Sequence, residues 1–186
     1  MKKFATYLKV ILTLKPDWFD DFYSKYSEPH ELHITLTQPR FINERDIEKV
    51  KLEIASILEK HSFNDANKIF TFNTCVYDKE SDGTHTVMLA TPGNPLLVDI
   101  QKDLRGAAQK FGDYVDPVME SYETNFKPHL TIGNNIIDQE AREVKNYLSE
   151  QDSFPQGEVT ELVLVVVENM NLTETRVPEN LTMFSL

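Results

Sequence analysis

The sequence has 186 residues, of which 40% are hydrophobic and 26% are charged, a balance typical of a soluble globular protein. This length suggests a single domain and is sufficient to bury a sizeable core without disulfides. The formal net charge of −11 argues against a protein that holds long nucleic acid through many phosphate contacts. It remains compatible with a small phosphate ligand in a local pocket.

Hydrophobic periodicity predicts strands and helices in alternation through the first half of the chain. The predicted elements are strands over 4–14, 31–36, 69–77 and 84–90, and helices over 17–26 and 43–61. The turn signal Ser81-Asp82-Gly83 joins the last two strands into a predicted hairpin.

The second half opens with a helix signal, since Asn94 can cap a helix whose first residue is Pro95. The nearly continuous apolar run 162–167 predicts a central strand that is covered on both faces. The other predicted elements are the helix to residue 111, a strand over 126–132, a helix over 138–148 and an edge strand within 175–186.

The single cysteine, Cys75, excludes a disulfide framework and a cysteine zinc cluster, and it favours a reducing compartment. The apolar stretch near the N-terminus is interrupted by Lys9 and is followed by Lys15 and Pro16 rather than by a small-residue cleavage site. No apolar run approaches the roughly 20 residues that a membrane span needs. We therefore predict a cytoplasmic protein with no membrane partner.

Two tetrapeptides share one pattern of His, aliphatic, Thr, aliphatic: His-Ile-Thr-Leu at 33–36 and His-Leu-Thr-Ile at 129–132. Each falls in a predicted strand, where side chains alternate between the two faces. The His and the Thr of each copy must therefore share one face, while the two aliphatic residues point into the core. If the two halves pack about a pseudo-twofold axis, the two His-Thr pairs can face each other across a groove.

Such a groove has a specific chemistry. An imidazole can act as base or as acid near neutral pH, so two of them can deprotonate an attacking water and protonate a leaving oxygen. Two Thr hydroxyls can donate hydrogen bonds to the non-bridging oxygens of a phosphate held between them. A single His-x-Thr is usually structural, but the matched pair in strand context favours phosphodiester cleavage without a metal.

These motifs resemble the two signatures of the two-histidine (2H) phosphoesterase superfamily, which includes 2′-5′ RNA ligase-like proteins and cyclic nucleotide phosphodiesterases. The resemblance includes the longer stretch 127–133, Lys-Pro-His-Leu-Thr-Ile-Gly, and the order of elements over most of the chain. The first motif is followed by Thr37-Gln38-Pro39-Arg40, where many members carry an aromatic residue and a Gly, so the subfamily and the substrate stay open.

The resemblance implies one bilobal α+β domain over residues 1–186, with two antiparallel sheets, helices on their outer faces and a central cleft of pseudo-twofold character. It implies hydrolysis or transfer at 2′,3′-cyclic phosphates or 2′-5′ linkages without a metal or cofactor. By position, His33 and His129 would be the acid-base pair, and Thr35 and Thr131 would bind the phosphate.

Five further residues are candidates for substrate binding. Arg40 and Lys127 flank the two motifs and could hold a polyanion. Tyr77, Tyr122 and Phe126 could stack on a base, although aromatic residues in strands more often belong to the core.

A metal site at His30 and His33 is not expected. Their spacing is not that of a zinc-binding helix, and in a strand the two side chains would face opposite sides.

Three hypotheses follow. The first is a phosphodiesterase that acts on a small nucleotide or an RNA terminus, as a monomer and without affinity for a long duplex. The second is a binding module that holds the same ligands in the same cleft without turnover. The third is a structural protein in which the motifs are accidental and the two His lie far apart.

Overall fold

The computed structural model describes residues 1–28, 30–91 and 93–186. Its strands are β1 (Lys2–Leu14), β2 (His33–Ile42), β3 (Ile69–Thr71), β4 (Thr74–Lys79), β5 (His85–Ala90), β6 (His129–Ile136), β7 (Gln156–Val167) and β8 (Leu181–Ser185). Its helices are α1 (Asp17–Tyr26), α2 (Ile47–Lys60), α3 (Pro95–Ala108), α4 (Met119–Thr124) and α5 (Asp138–Ser149).

Five strands form an antiparallel sheet, the large sheet, in the order β2-β1-β7-β3, with β8 also paired to β7. The predicted central strand is confirmed, because β7 has β1 along one edge and β3 and β8 along the other. Both faces of β7 are covered. Leu162 and Leu164 belong to the main core, whereas Val163 and Val165 on the other face belong to a smaller cluster with Tyr7, Met170 and Leu181.

The other three strands form an antiparallel sheet, the small sheet, in the order β4-β5-β6. The predicted hairpin is confirmed, because β4 and β5 pair on either side of the 81–83 turn. Gly83 has φ +87°, a conformation that a residue with a side chain rarely adopts.

The strand predicted over 69–77 is wrong as a single element. Residues 69–71 pair with β7 in the large sheet, whereas residues 74–79 pair with β5 in the small sheet. Between them Phe72 is fully buried, and its backbone N–H donates to the Pro155 carbonyl at 3.0 Å. The chain therefore crosses from one sheet to the other at this point.

Helices α1 and α4 each pack on a strand from the other half of the chain. Helix α1 precedes β2 in the chain but packs on β6, whereas α4 precedes β6 but packs on β2. Helices α2 and α3 pack on each other, and α3 also packs on β2. This crossed arrangement brings β2 and β6 side by side and confirms the predicted α+β fold with two antiparallel sheets. None of the helices in the described ranges is long and apolar enough to cross a membrane.

Candidate active site

Strands β2 and β6 each begin at the His of a tetrapeptide. The aliphatic residues alternate with it as predicted, and Ile34, Leu36, Leu130 and Ile132 are all at most 1% exposed. The burial of this face turns the His and Thr of each copy to the opposite face, because side chains alternate along a strand. The third hypothesis requires two distant motifs and finds no support, since β2 and β6 are in contact.

Both motif imidazoles are held in the same way. Nδ1 of His33 donates to the carbonyl oxygen of Glu31 at 2.9 Å, and Nδ1 of His129 donates to that of Lys127 at 2.7 Å. A carbonyl oxygen only accepts, so the proton of each neutral ring resides on Nδ1. Nε2 then carries the lone pair and is the atom that can take or return a proton.

Burial lowers the pKa of both imidazoles, and the hydrogen bond to the carbonyl oxygen partly opposes this effect in each ring. The two environments differ in the nearby charges. His30 and His129 lower the pKa of His33 further and the carboxylate of Glu31 opposes them, whereas the carboxylate of Asp78 raises the pKa of His129. Because two neighbouring imidazoles disfavour a cation at His33 and a carboxylate favours one at His129, His129 is the better placed of the two to carry a proton.

Tyr7 supports His33 from the neighbouring strand, a contact that sequence reasoning missed. The two ring centroids lie 4.9 Å apart, and Tyr7 stands directly opposite Thr35 in the β1–β2 register. Burial, followed by the charge of Glu31, raises the pKa of Tyr7 to about 12, so its hydroxyl keeps its proton at neutral pH. Tyr7 therefore packs against the imidazole rather than exchanging protons with it.

The cleft consists of two connected compartments that share Glu80, Thr86 and Thr131. The polar compartment, of about 930 Å³, is lined by His33 together with hydroxyl, amide and carboxylate groups. The aromatic compartment, of about 500 Å³, is lined by Thr35 and His129 together with apolar and aromatic side chains. All four motif side chains thus line one cleft, and Thr131 stands at the junction.

Three of the five predicted substrate-binding residues line the aromatic compartment: Tyr122, Phe126 and Lys127. The prediction for Tyr77 is wrong. Its strand neighbours Val76 and Asp78 line the compartment, so alternation turns Tyr77 to the other face, where it packs against the core.

The prediction for Arg40 is also wrong. Its side chain is 2% exposed and pairs with Glu123 of α4 at 2.9 Å. Its guanidinium carbon lies 3.5 Å from the ring centroid of Tyr114. The positive charge of Arg40 is therefore neutralised by Glu123 inside the protein and does not face the cleft.

Glu123 was also missed by sequence reasoning. It is 3% exposed, and besides Arg40 it accepts hydrogen bonds from the Gln38 backbone N–H at 2.6 Å and the Tyr114 hydroxyl at 2.7 Å. Gln38 and Tyr122, which precedes Glu123 in the sequence, both line the aromatic compartment. The buried carboxylate therefore connects β2 and α4 behind that compartment.

His30 does not face away from His33, contrary to the prediction. Strand β2 begins at His33, so strand alternation does not apply to His30, and the two ring centroids lie 5.7 Å apart. Within the part of the chain that the structure describes, no three His, Cys, Asp or Glu side chains are grouped as metal ligands.

Comparison with two solved structures of Usb1 supports the fold, and LigT is more weakly similar. Usb1 from Kluyveromyces marxianus aligns with a TM-score of 0.53 at 11% identity, over 99% of this chain and 98% of that chain. A structure of the same protein with uridine monophosphate aligns with a TM-score of 0.53 at 12% identity, over 97% and 98%. LigT from E. coli complexed with 3′-AMP aligns with a TM-score of 0.48 at 12% identity, over 100% and 95%.

A search of curated protein sequences gives no significant match. A family model described as the 2′-5′ RNA ligase superfamily matches residues 9–171. This match covers most of the chain and spans both His-x-Thr strands, so the chain belongs to the 2′-5′ RNA ligase superfamily.

Proposed function

We propose that this protein is a metal-independent phosphodiesterase that acts on a 2′,3′-cyclic phosphate or a 2′-5′ linkage in a small nucleotide or at an RNA end. The observation that carries the proposal is the matched pair of imidazoles. Each is fixed through Nδ1 to the carbonyl two residues before it, and both line one cleft.

The hydroxyls of Thr35 and Thr131 are the proposed phosphate ligands. Within residues 1–28, 30–91 and 93–186, neither hydroxyl has a hydrogen-bond partner, and neither does Nε2 of His33 or His129. Unpaired donors that face a cleft are free to bind a ligand without breaking an internal bond. Two hydroxyls can reach the non-bridging oxygens while two imidazoles serve the oxygens in line with the phosphorus.

The lining of the two compartments supports the following roles in the hydrolysis of a cyclic phosphate. The nucleoside occupies the aromatic compartment, and water reaches the phosphorus from the polar compartment, which His33 lines. Nε2 of His33 removes a proton from the water as its oxygen attacks phosphorus. The bond from phosphorus to a ribose oxygen breaks, and the imidazolium of His129 protonates that oxygen. The product is a phosphate monoester, and one proton has moved from His129 to His33.

The proposed substrate is small. Tyr122 and Phe126 line the aromatic compartment and are the proposed stacking partners of a base, an interaction of about 1–3 kcal/mol. The net charge of −11 disfavours a long duplex. A structure of Usb1 contains uridine monophosphate, which supports a small nucleotide as the ligand of this fold.

The test is a substrate panel with products identified by mass spectrometry. It contains 2′,3′-cyclic nucleotides, ADP-ribose 1″,2″-cyclic phosphate, 2′-5′ oligoadenylates and RNA with cyclic ends. We expect His33→Ala and His129→Ala each to lower kcat by about 10²–10⁴-fold. His61→Ala is the matched control, because His61 pairs with Asp103 of α3 at 2.9 Å and lines neither compartment of the cleft.

Two results would overturn the proposal. Binding without turnover of any member of the panel would establish the binding module instead. Complete loss of activity in EDTA would refute the metal-free route.

A further inference from the structure

The polar compartment contains a third imidazole that the proposed reaction does not use. His30 lines this compartment together with His33 and Thr131. Its ring meets that of His33 edge-on, with centroids 5.7 Å apart and planes at 64°. A side chain this close to the proposed base also borders any group that enters the compartment.

His30 is held as firmly as the two motif residues. Its Nδ1 lies 2.6 Å from the carbonyl oxygen of Glu28 and 3.2 Å from the hydroxyl oxygen of Tyr23. The Tyr23 hydroxyl donates to the carbonyl of His30 at 3.0 Å, so its oxygen is free to accept from Nδ1. Three imidazoles of the cleft thus share the same tautomer, each fixed by the carbonyl two residues earlier.

This fixation leaves Nε2 of His30 available. Among the described residues, no group donates to it or accepts from it. A neutral imidazole with its proton on Nδ1 offers a hydrogen-bond acceptor at Nε2, and the natural donor to it is a hydroxyl or an amine.

The charges of the polar compartment restrict what it can hold. Among the described residues, the lining contains one ammonium group, that of Lys25, and four carboxylates, those of Glu28, Glu80, Asp82 and Glu140. Neutral donors and acceptors complete the lining, among them Thr84, Asn134 and Asn135. Such a surface favours a hydroxyl-bearing neutral group and repels a second phosphate.

We propose that the polar compartment binds the second, uncharged substituent of a phosphodiester, and that His30 is the specificity residue that accepts a hydrogen bond from it. The inference rests on the proposed function and adds the substrate class. The preferred diester joins two neutral groups, as in a dinucleoside monophosphate, and carries no further phosphate on the side of His33.

The test compares two substrates in the full-length protein. A 2′,3′-cyclic nucleotide leaves the polar compartment to water, whereas the second nucleoside of a 2′-5′ dinucleoside monophosphate shares this compartment of about 930 Å³ with the attacking water. In the second reaction His33 again deprotonates the water, the bond from phosphorus to the 2′-oxygen on the aromatic side breaks, and His129 protonates that oxygen. The second nucleoside then leaves as its 5′-phosphate.

We expect His30→Phe, which keeps a ring beside His33 but has no acceptor, to reduce kcat/KM for the dinucleoside about tenfold more than for the cyclic nucleotide, mainly through KM. The loss of one hydrogen bond in a site of this kind has about this effect. Any change in the pKa of His33 affects both substrates and cancels in the ratio.

His61→Phe is the matched control and should leave the ratio of the two substrates unchanged. An equal ratio in His30→Phe and the wild type would refute the inference. If the protein turns over neither substrate, the proposed function fails, but His30 is still tested by calorimetry with non-hydrolysable methylene analogues. His30→Phe must then weaken the binding of the dinucleoside analogue more than that of a mononucleotide.

The charge of the compartment has its own test. A dinucleoside analogue with an added phosphate on the second nucleoside should bind more weakly than the neutral analogue. In a water-like dielectric, a carboxylate about 7 Å from a unit negative charge weakens binding about threefold. Glu140→Gln should recover part of this loss, whereas tighter binding of the phosphorylated analogue would contradict the inference.

Discussion

The buried ion pair between Arg40 and Glu123 connects strand β2 to helix α4, and breaking it should lower the free energy of unfolding by several kcal/mol. The two side chains are 2% and 1% exposed. The Glu123 carboxylate also accepts from the Tyr114 hydroxyl and the Gln38 backbone, and Nε of Arg105 lies 3.7 Å from it. One carboxylate therefore neutralises two guanidinium groups in an environment that contains little water.

Glu123→Gln keeps the size and removes the charge. The amide cannot compensate Arg40, and its NH₂ group must face donors that the carboxylate previously satisfied. Breaking a buried pair by removing one partner costs about 3–5 kcal/mol, because the remaining charge is left in the interior. A domain has only about 5–15 kcal/mol of stability, so this one substitution should remove a large part of it.

Urea denaturation measures the effect as a shift of the midpoint at constant m. The matched control is Glu53→Gln, which breaks the exposed pair of Lys110 and Glu53 at 3.2 Å and should cost about 0–1 kcal/mol. Adding Arg40→Met to Glu123→Gln should restore at least about 1 kcal/mol through coupling of neighbours. A loss in Glu123→Gln no larger than in Glu53→Gln would refute the reasoning.

Four further predictions concern the cleft and its surroundings. Tyr7→Leu should lower kcat/KM about threefold to tenfold, because ring packing worth about 0.5–1.5 kcal/mol orients His33, and an unchanged rate would exclude this support. Thr131→Val should lower kcat about 10²–10³-fold, as does the loss of one donor to a developing charge, with an unchanged melting temperature, and a parallel loss of folding would identify a structural role instead. Because burial lowers the pKa of His33, the acid limb of kcat/KM should lie below the ordinary His value of about 6.5, and a limb above it would contradict the assignment of His33 as base. Hydrogen bonds from His85 and Lys79 lower the pKa of Asp138 to about 2. The contribution of Asp138 to stability should therefore be present above about pH 4 and lost as the pH falls to about 2. In Asp138→Asn the melting temperature should depend less on pH in that window.

The parts of this fold that the sequence predicted are those set by local alternation. The pattern of His, aliphatic, Thr, aliphatic fixes which side chain is buried, because a one-residue error would expose Ile34 and bury His33. The helix at Pro95 was predicted for a similar local reason, and the Asn94 side chain does accept from the Leu97 backbone N–H at 3.3 Å.

The parts that were missed depend on contacts distant in sequence. Nothing in the run 69–77 marks the crossing at Phe72, because both pieces have strand composition and only their pairing partners differ. Arg40 follows the first His-x-Thr motif, but its partner Glu123 is 83 positions away on a helix of six residues, too short to show a periodic pattern. Tyr7 required the register between β1 and β2.

The charged groups of the cleft also affect the release of the product in the proposed reaction. Among the described residues, the permanent cations that line the cleft are Lys25 and Lys127, because Arg40 is turned inward, and the proposed phosphate ligands are hydroxyls and imidazoles. The diester carries one negative charge, whereas the monoester product carries close to two at neutral pH. Asp78 and Glu80 line the cleft beside Thr131, so they repel the product more strongly than the substrate. An arginine clamp would bind the product tightly and slow its release, whereas hydroxyls and imidazoles in a cleft with more carboxylates than ammonium groups would favour the diester and release the monoester faster.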